Sequence, residues 1–350
     1  MSKTVVLRLG ANISLPFSRR FLVALPLLVA ALLVSMFAAL NMGAMQTQLG
    51  DVWAALTTPA DQWSDEARSV ALFRLPRILA AVLAGAMLAV SGYLLQVVSR
   101  NGLADPGILG LSDGATVAVM VTSFLMPAVA VGALGGVALV GALGVALLVL
   151  GLGRRMLQSG GIILVGLSVN IVLGAVVEVI LVSGSAMQFS RLLVWSRGTL
   201  ASVDAGDLRF MAIWCAAMIP CVLLVSRWLA PLLLGPQTAE SLGLRVGPAY
   251  ALFVVLAAAA AAPVVATCGP VAFVGLMSSY IARGLVGDRP GEVLVTAMLA
   301  GGLILLWADT LGRTLFSPII VSAGIMVSVV GVLSFILAAR LGQRRSARQE

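Results

Sequence analysis

The chain has 350 residues, of which 61% are hydrophobic and only 10% charged, and its mean hydropathy is +1.10. So much apolar surface cannot be hidden inside a water-soluble domain, so the composition excludes a soluble enzyme and predicts an all-α, polytopic membrane protein. The net charge of +8 reads as membrane topology once its positions are considered, and nucleic-acid binding is not expected.

A spanning helix needs roughly 20 apolar residues. Ten stretches meet or approach that length: 21–41, 76–98, 111–126, 128–152, 160–183, 209–230, 250–267, 271–286, 293–312 and 321–340. Several are short, and the breaks near 126–128 and 267–271 are not sharp in the sequence. The first stretch is too long for a signal peptide and lacks a small-x-small cleavage site, so it reads as an uncleaved first helix. Residues 1–20 are expected to be a cytoplasmic segment, 21–340 one transmembrane domain, and 341–350 a cytoplasmic tail. With an inner amino terminus, 15 of the 22 basic residues fall in inner segments and seven in outer ones. The positive-inside rule therefore places both termini in the cytoplasm. The spans are nearly contiguous and leave no room for a soluble catalytic domain. There is no histidine, and Cys215, Cys221 and Cys268 form no CxxC pair, so neither a disulfide nor a metal site is indicated.

Along the chain, the longest outer loop, 44–75, holds Asp61, Asp65 and Glu66. It ends in "FRLPRIL", residues 73–79, where Arg74 and Arg77 stand at the mouth of the second span. Charge counting puts them outside, where the positive-inside rule does not want them. Ala81, Gly85 and Ala89, then Gly132, Gly136 and Gly144, are spaced to let helix backbones approach closely in lipid. "SRNGLADPGILGLSDGA", residues 99–115, predicts a tight loop that re-enters the membrane as the third span. Glu178 sits within the fifth span, where a carboxylate is costly; it either lines a watery path or locks a helix pair. Residues 184–208 form a second outer segment whose apolar part, "LLVWSRGTLASV", is too short to span and predicts a half-helix or re-entrant element. Arg197 there, two residues after Trp195, either meets an anionic cargo, pairs with Asp204 or Asp207, or snorkels to water. Residues 231–249 form the longest inner loop and contain a short helical stretch.

Three ordered strings carry a family resemblance: "RLPRILAAVLAGAMLAVSGYLLQ", "CGPVAFVGLMSSYIARGLVG" and "WADTLGRTLFSPIIVSAGIMVSVVGVLSF". With residues 99–115 they resemble the permease subunits of ABC importers for iron-siderophore complexes, haem and vitamin B12, over about residues 70–340. The resemblance implies a vitamin-B12-permease-like fold of ten helices, paired in a bacterial inner membrane. It further implies two ATPase subunits below, which bind ATP and magnesium, and a soluble or lipid-anchored substrate-binding protein outside. This chain has no P-loop, so the ATPase is a separate polypeptide and no cofactor is expected here.

The resemblance also suggests roles. Arg74, Arg77 and Arg313 look like the arginines that meet acidic residues of the binding protein, a role suited to bidentate guanidiniums. The plainer reading is that they anchor helix ends or pair with Asp309. "TAESLGLRVG", residues 238–247, resembles a coupling helix, with Ala239, Leu242 and Leu244 on its apolar face, Glu240 and Arg245 on the rim, and Gly243 between; a surface-lying connector is the alternative. Glu178, Trp195 and Arg197 are the pathway candidates. Three departures stand out. Ser279-Tyr280 replaces a family Pro-His, residues 320–324 keep only Gly324 of a Glu-x-Pro-x-Gly pattern, and Asn101-Gly102 replaces Asn-Pro. They lean toward a heterodimer with a second permease over a homodimer. The expected cargo is an iron-siderophore complex, with haem or vitamin B12 as alternatives. An ion-coupled secondary transporter is the competing class, and Glu178 is its one convincing residue.

Overall fold

The structure, a computed structural model, describes residues 4–9, 13–43, 49–126, 131–153, 162–183, 190 and 193–333. The expected tail 341–350, residues 334–340 of the tenth span and residues 184–189 of the outer segment lie outside the described residues.

The chain is nearly all-helical. The exception is a hairpin at the amino end, where β1 (Thr4–Leu9) pairs antiparallel with β2 (Ile13–Ser18), Thr4 opposite Ser18. Thr4, Val5, Val6 and Ile13 are β-branched and favour extended chain. Ser18 then caps α1 (Arg19–Asn41), its Oγ accepting from the Phe21 amide at 3.1 Å. The outer loop is largely helical, with α2 (Leu49–Thr57) and α3 (Asp65–Ser69). A π-helical turn over Val70–Arg74 joins α3 directly to α4 (Leu75–Ser99). Pro76 lies in the first turn of α4, where its missing N–H leaves no helical bond unmade.

The remaining elements are α5 (Leu111–Leu125), α6 (Val131–Leu152), α7 (Ile162–Ser183), α8 (Ala205–Val225), α9 (Leu229–Leu233), α10 (Pro236–Ser241), α11 (Val246–Cys268), α12 (Val274–Val286), α13 (Pro290–Thr314) and α14 (Ala323–Leu333). Among the described residues, seven helical segments are long and apolar enough to cross a membrane, and three shorter apolar helices, α5, α12 and α14, accompany them. Together they match the ten expected stretches.

Helix α4 is the axis of the bundle, mostly buried and packed against α11, α12 and α13. Its small residues make this possible. A Cβ on Gly85 would stand 2.2 Å from the Gly301 carbonyl oxygen of α13, and one on Gly301 would stand 2.8 Å from the Ala89 Cβ. Backbone meets backbone there, as small residues allow in lipid. Polar ties fix the neighbours: Ser91 Oγ donates to the Ala257 carbonyl at 2.7 Å, Trp214 Nε1 to Ala259 at 2.8 Å, and Trp307 Nε1 to Ser35 Oγ at 3.0 Å. By contrast α7 is mostly exposed, and Gly136 and Gly144 of α6 have nothing near them. The spacing of small residues thus predicts tight contact correctly for α4 but not for that face of α6.

Gly85→Leu is expected to destabilise the bundle by more than the ~1–3 kcal/mol of ordinary overpacking, because the obstacle is backbone. Thermal unfolding in detergent checks it: a lowered midpoint or lost folded yield is expected, while Gly136→Ala, facing open space, shows no loss.

Candidate functional site

The end of the bundle expected outside is organised by three guanidiniums. Helix α1 stops at Asn41, and its last carbonyls have no helical partner. Arg74 donates to the Leu40 carbonyl at 2.8 Å, and Arg313 donates to Ala39 at 2.8 Å and Met42 at 2.7 Å. Both guanidiniums converge on Gly43, within 3.0 and 3.3 Å of where its Cβ would be. Positive charge at a helix carboxyl end also complements its dipole. Arg77 makes a bidentate pair with Asp309 at 2.8 and 2.7 Å, the pairing anticipated as the plainer reading. Arg313 Nε lies 3.8 Å from the same carboxylate. Arg74 is only 7% exposed, whereas the Arg77 side chain keeps 17%.

At the opposite end, α10 closes with the backbone pattern of a left-handed cap. Gly243 has φ +83°, its amide donates to Glu240 at 2.9 Å, and the Leu244 amide donates to Ala239 at 3.0 Å. This corrects the predicted apolar face. Ala239 is fully buried against the chain's own bundle, and Leu244 is half-buried. Leu242 is 63% exposed, with Glu240 and Arg245 exposed beside it. Two contacts here escape sequence reading. Glu292, in the first turn of α13, accepts from the Ser18 amide at 2.7 Å and from Ser18 Oγ, and so ties α1 to α13. Gln96, buried in α4, accepts from Arg283 at 2.9 Å and donates toward the carbonyls of Ala104 and Gly275.

Between the two ends the helices are broken. Helix α12 has 13 residues, about 20 Å at ~1.5 Å per residue, so it cannot cross a core of ~30 Å. Helix α5 is similarly short at 15 residues. The breaks satisfy one another. The Thr199 amide donates to the Cys268 carbonyl at 2.7 Å, the Gly324 amide to Gly198 at 2.9 Å, Ser322 Oγ to Arg197 at 3.0 Å, and Asn170 Nδ2 to Gly107 at 2.9 Å. Gly198, with φ +70°, lets the strand pass; a Cβ there would stand 2.5 Å from the Pro270 carbonyl oxygen. The segment predicted as a re-entrant element is thus a short helical piece, 193–195, followed by extended chain laid across the end of α11 and the start of α14.

A cavity of about 360 Å³ opens where these breaks meet, lined among others by Gly107, Ser112, Asp113, Arg197, Pro270 and Ser328. Gly107 belongs to the loop expected from the inner side and Arg197 to the segment expected from the outer side. The cavity thus forms where a loop expected from one side meets a segment expected from the other. Of the pathway candidates, Arg197 lines it. Glu178 is exposed on α7 and Trp195 is half-buried with its carbonyl against Gly269, and neither is among its lining residues. Arg197 does not pair with Asp204 or Asp207, which instead close a capping box at the start of α8. Asp113 was missed. Its signal, a carboxylate in an apolar stretch just after Gly110, is the same kind that marks Glu178.

A helical bundle whose broken helices enclose a largely apolar cavity bearing a few polar and charged groups, with ordered charge at both ends, has the build of a multi-pass membrane subunit. The comparisons place it more narrowly. The chain belongs to the FecCD transport family, whose model matches residues 31–340. It is a permease of the ABC-importer type. It is 31% identical to the Fe(3+)-citrate import system permease protein YfmE of Bacillus subtilis, over 78% of this chain and 82% of that one. It is 32% identical to the hemin transport system permease protein HmuU of Yersinia pestis, over 91% and 96% of the two chains. A solved chain of a metal-chelate type ABC transporter in an inward-facing conformation shares the fold, with a TM-score of 0.79 at 24% identity, covering 91% of this chain and 99% of that one.

Asp309→Asn leaves the partly buried guanidiniums of Arg77 and Arg313 without their buried counter-charge and is expected to cost about 2 kcal/mol, below the scale for breaking a fully buried pair from one side. Thermal unfolding checks it; Arg77→Met combined with Asp309→Leu, which removes the tightest pair, is expected to recover part of the loss.

Proposed function

We propose that the chain is the membrane permease of an ABC importer that moves an iron-siderophore complex or related ferric chelate inward across a bacterial cytoplasmic membrane. The observation that carries this is the family match over nearly all of the bundle. The import of ferric citrate and of hemin by the relatives supports an iron-bearing cargo. ATP and magnesium bind on separate ATPase subunits, and alternating access follows from their closure.

In this reading the exposed Glu240, Leu242 and Arg245 rim of α10 meets the ATPase, while buried Ala239 and the Gly243–Leu244 turn transmit its movement to α11. The outer end receives the binding protein. Of Arg74, Arg77 and Arg313, Arg77 is the most available, and Arg74 and Arg313 hold the docking surface in shape by fixing α1. The open face of α7 carries Glu178 among apolar side chains such as Ile171, Val172 and Val179. A carboxylate is costly against lipid, so this face is better met by a second permease subunit or a watery path between the two.

Two measurements test this. Affinity capture from gently solubilised membranes is expected to bring an ABC ATPase with the chain, identified by mass spectrometry; a folded chain reproducibly alone would overturn the importer reading. Leu242→Asp places a charge in the coupling contact. It is expected to cut chelate uptake by about tenfold or more while ATP hydrolysis persists, as loss of a central apolar anchor does. Unchanged coupling would remove α10 from that role.

A further inference from the structure

The cavity at the helix breaks is lined by two opposite charges without a partner among the described residues. Asp113 stands half-buried in the first turn of α5, and Arg197 is exposed on the turn that follows the short helical piece 193–195. Among the described residues neither side chain has an ion pair or hydrogen bond. Among the described residues the buried carboxylates elsewhere in the bundle are engaged: Asp309 by Arg77, Glu292 by Ser18 and Asp105 by the Gly107 amide. An acid and a base left open between the two membrane faces are costly unless water or a ligand meets them. The Arg197 backbone is also fixed, because its carbonyl accepts from Ser322 and its neighbour Gly198 from the Gly324 amide. Arg197 therefore lines the cavity from a hydrogen-bonded stretch of backbone. The remaining wall is mostly backbone and small apolar side chains, with hydroxyls at Ser112, Ser196 and Ser328. This is the pattern of a site in which few polar groups set orientation and selectivity.

Resting on the importer reading above, we propose that Asp113 and Arg197 form a charge-compensated filter that selects ferric chelates of low net charge over polyanionic ones. The physical reason is cancellation. A lone arginine would draw in any anion, the more strongly the greater its charge. With a carboxylate in the same cavity, the attraction is offset for a polyanion, whose several charges cannot all lie near Arg197 and far from Asp113. A chelate that presents one acidic group and separate hydrogen-bond donors meets both walls favourably. Selectivity against the wrong cargo then comes from a repulsive element as much as from an attractive one.

The field is measured first without any cargo. In the full chain with Cys215, Cys221 and Cys268 replaced by alanine, Ser328→Cys places a thiol on the cavity wall, and its reaction with an anionic and a cationic methanethiosulfonate is timed. Asp113→Asn is expected to raise the anionic-to-cationic rate ratio on the order of fivefold, and Arg197→Gln to lower it by a similar factor, the scale for oppositely charged probes several ångström from one unit charge in water-like surroundings. A thiol inert to both reagents, or ratios unmoved by both substitutions, overturns the filter. The assembled importer in proteoliposomes is then given a neutral ferric trihydroxamate and a trianionic ferric tricatecholate. Asp113→Asn is expected to raise the relative uptake of the trianion on the order of fivefold, a change of ratio that a merely structural role would not produce. An unchanged uptake ratio with transport intact overturns the selection. If the rate ratios respond but the unsubstituted assembly moves neither chelate, the importer reading falls and the selection falls with it.

Discussion

Inside a bilayer no water is available to satisfy a peptide group, so every break in a helix must find its partners within the protein. That single constraint arranges this molecule. Helix α11 stops at Cys268, and the Cys268 carbonyl takes the Thr199 amide; α14 starts near Ala323, and the Gly324 amide finds Gly198. The loop before α5 is held by Asn170 of α7. Each break is tolerated because another break faces it, and the space they share becomes the cavity. The same rule governs the outer end, where the last carbonyls of α1 are taken by Arg74 and Arg313. A lone irregular segment at this depth would be expensive, whereas several that meet are mutually satisfied.

Close packing of α4 makes those meetings possible. Gly85 against Gly301, and Gly92 with Gly275, bring three helices to backbone contact, and so hold the short α12 in place although it cannot cross by itself. Gln96 and Arg283 add a polar tie at the inner side of the same junction. The rigid α4–α11–α12–α13 group therefore contrasts with α7 and parts of α6, whose outward faces remain open. A permease needs both: a fixed group to carry load between its ends, and faces along which subunits can shift.

Most of the architecture was legible beforehand. The ten stretches, the re-entrant loop at 99–115 and the short inner helix at 236–241 all lie in runs whose length, hydropathy or glycine content speaks for itself. The hairpin before α1 was not read, because a short run such as "TVVLRL" gives no sign of the partner strand that stabilises it. Ala239 was assigned to the outward face because sequence spacing identifies a stripe but not which side of it the bundle covers. Asp113 was passed over in a stretch read for its glycines.

What the sequence by itself determined was the apolar surroundings, the ten apolar stretches and the family strings, since these depend on composition and local order alone. Which charges are consumed and which stay open was decided only by the tertiary structure. Arg74, Arg77 and Arg313, for which docking and engagement with helix ends or Asp309 were both open, are largely engaged with α1 and Asp309. Arg197, for which an anionic cargo, Asp204 or Asp207, and water were all open, lines a cavity with Asp113, 84 positions away in the chain. The physical reason is that charge pairing acts over a few ångström, and only folding sets which distant residues come that close.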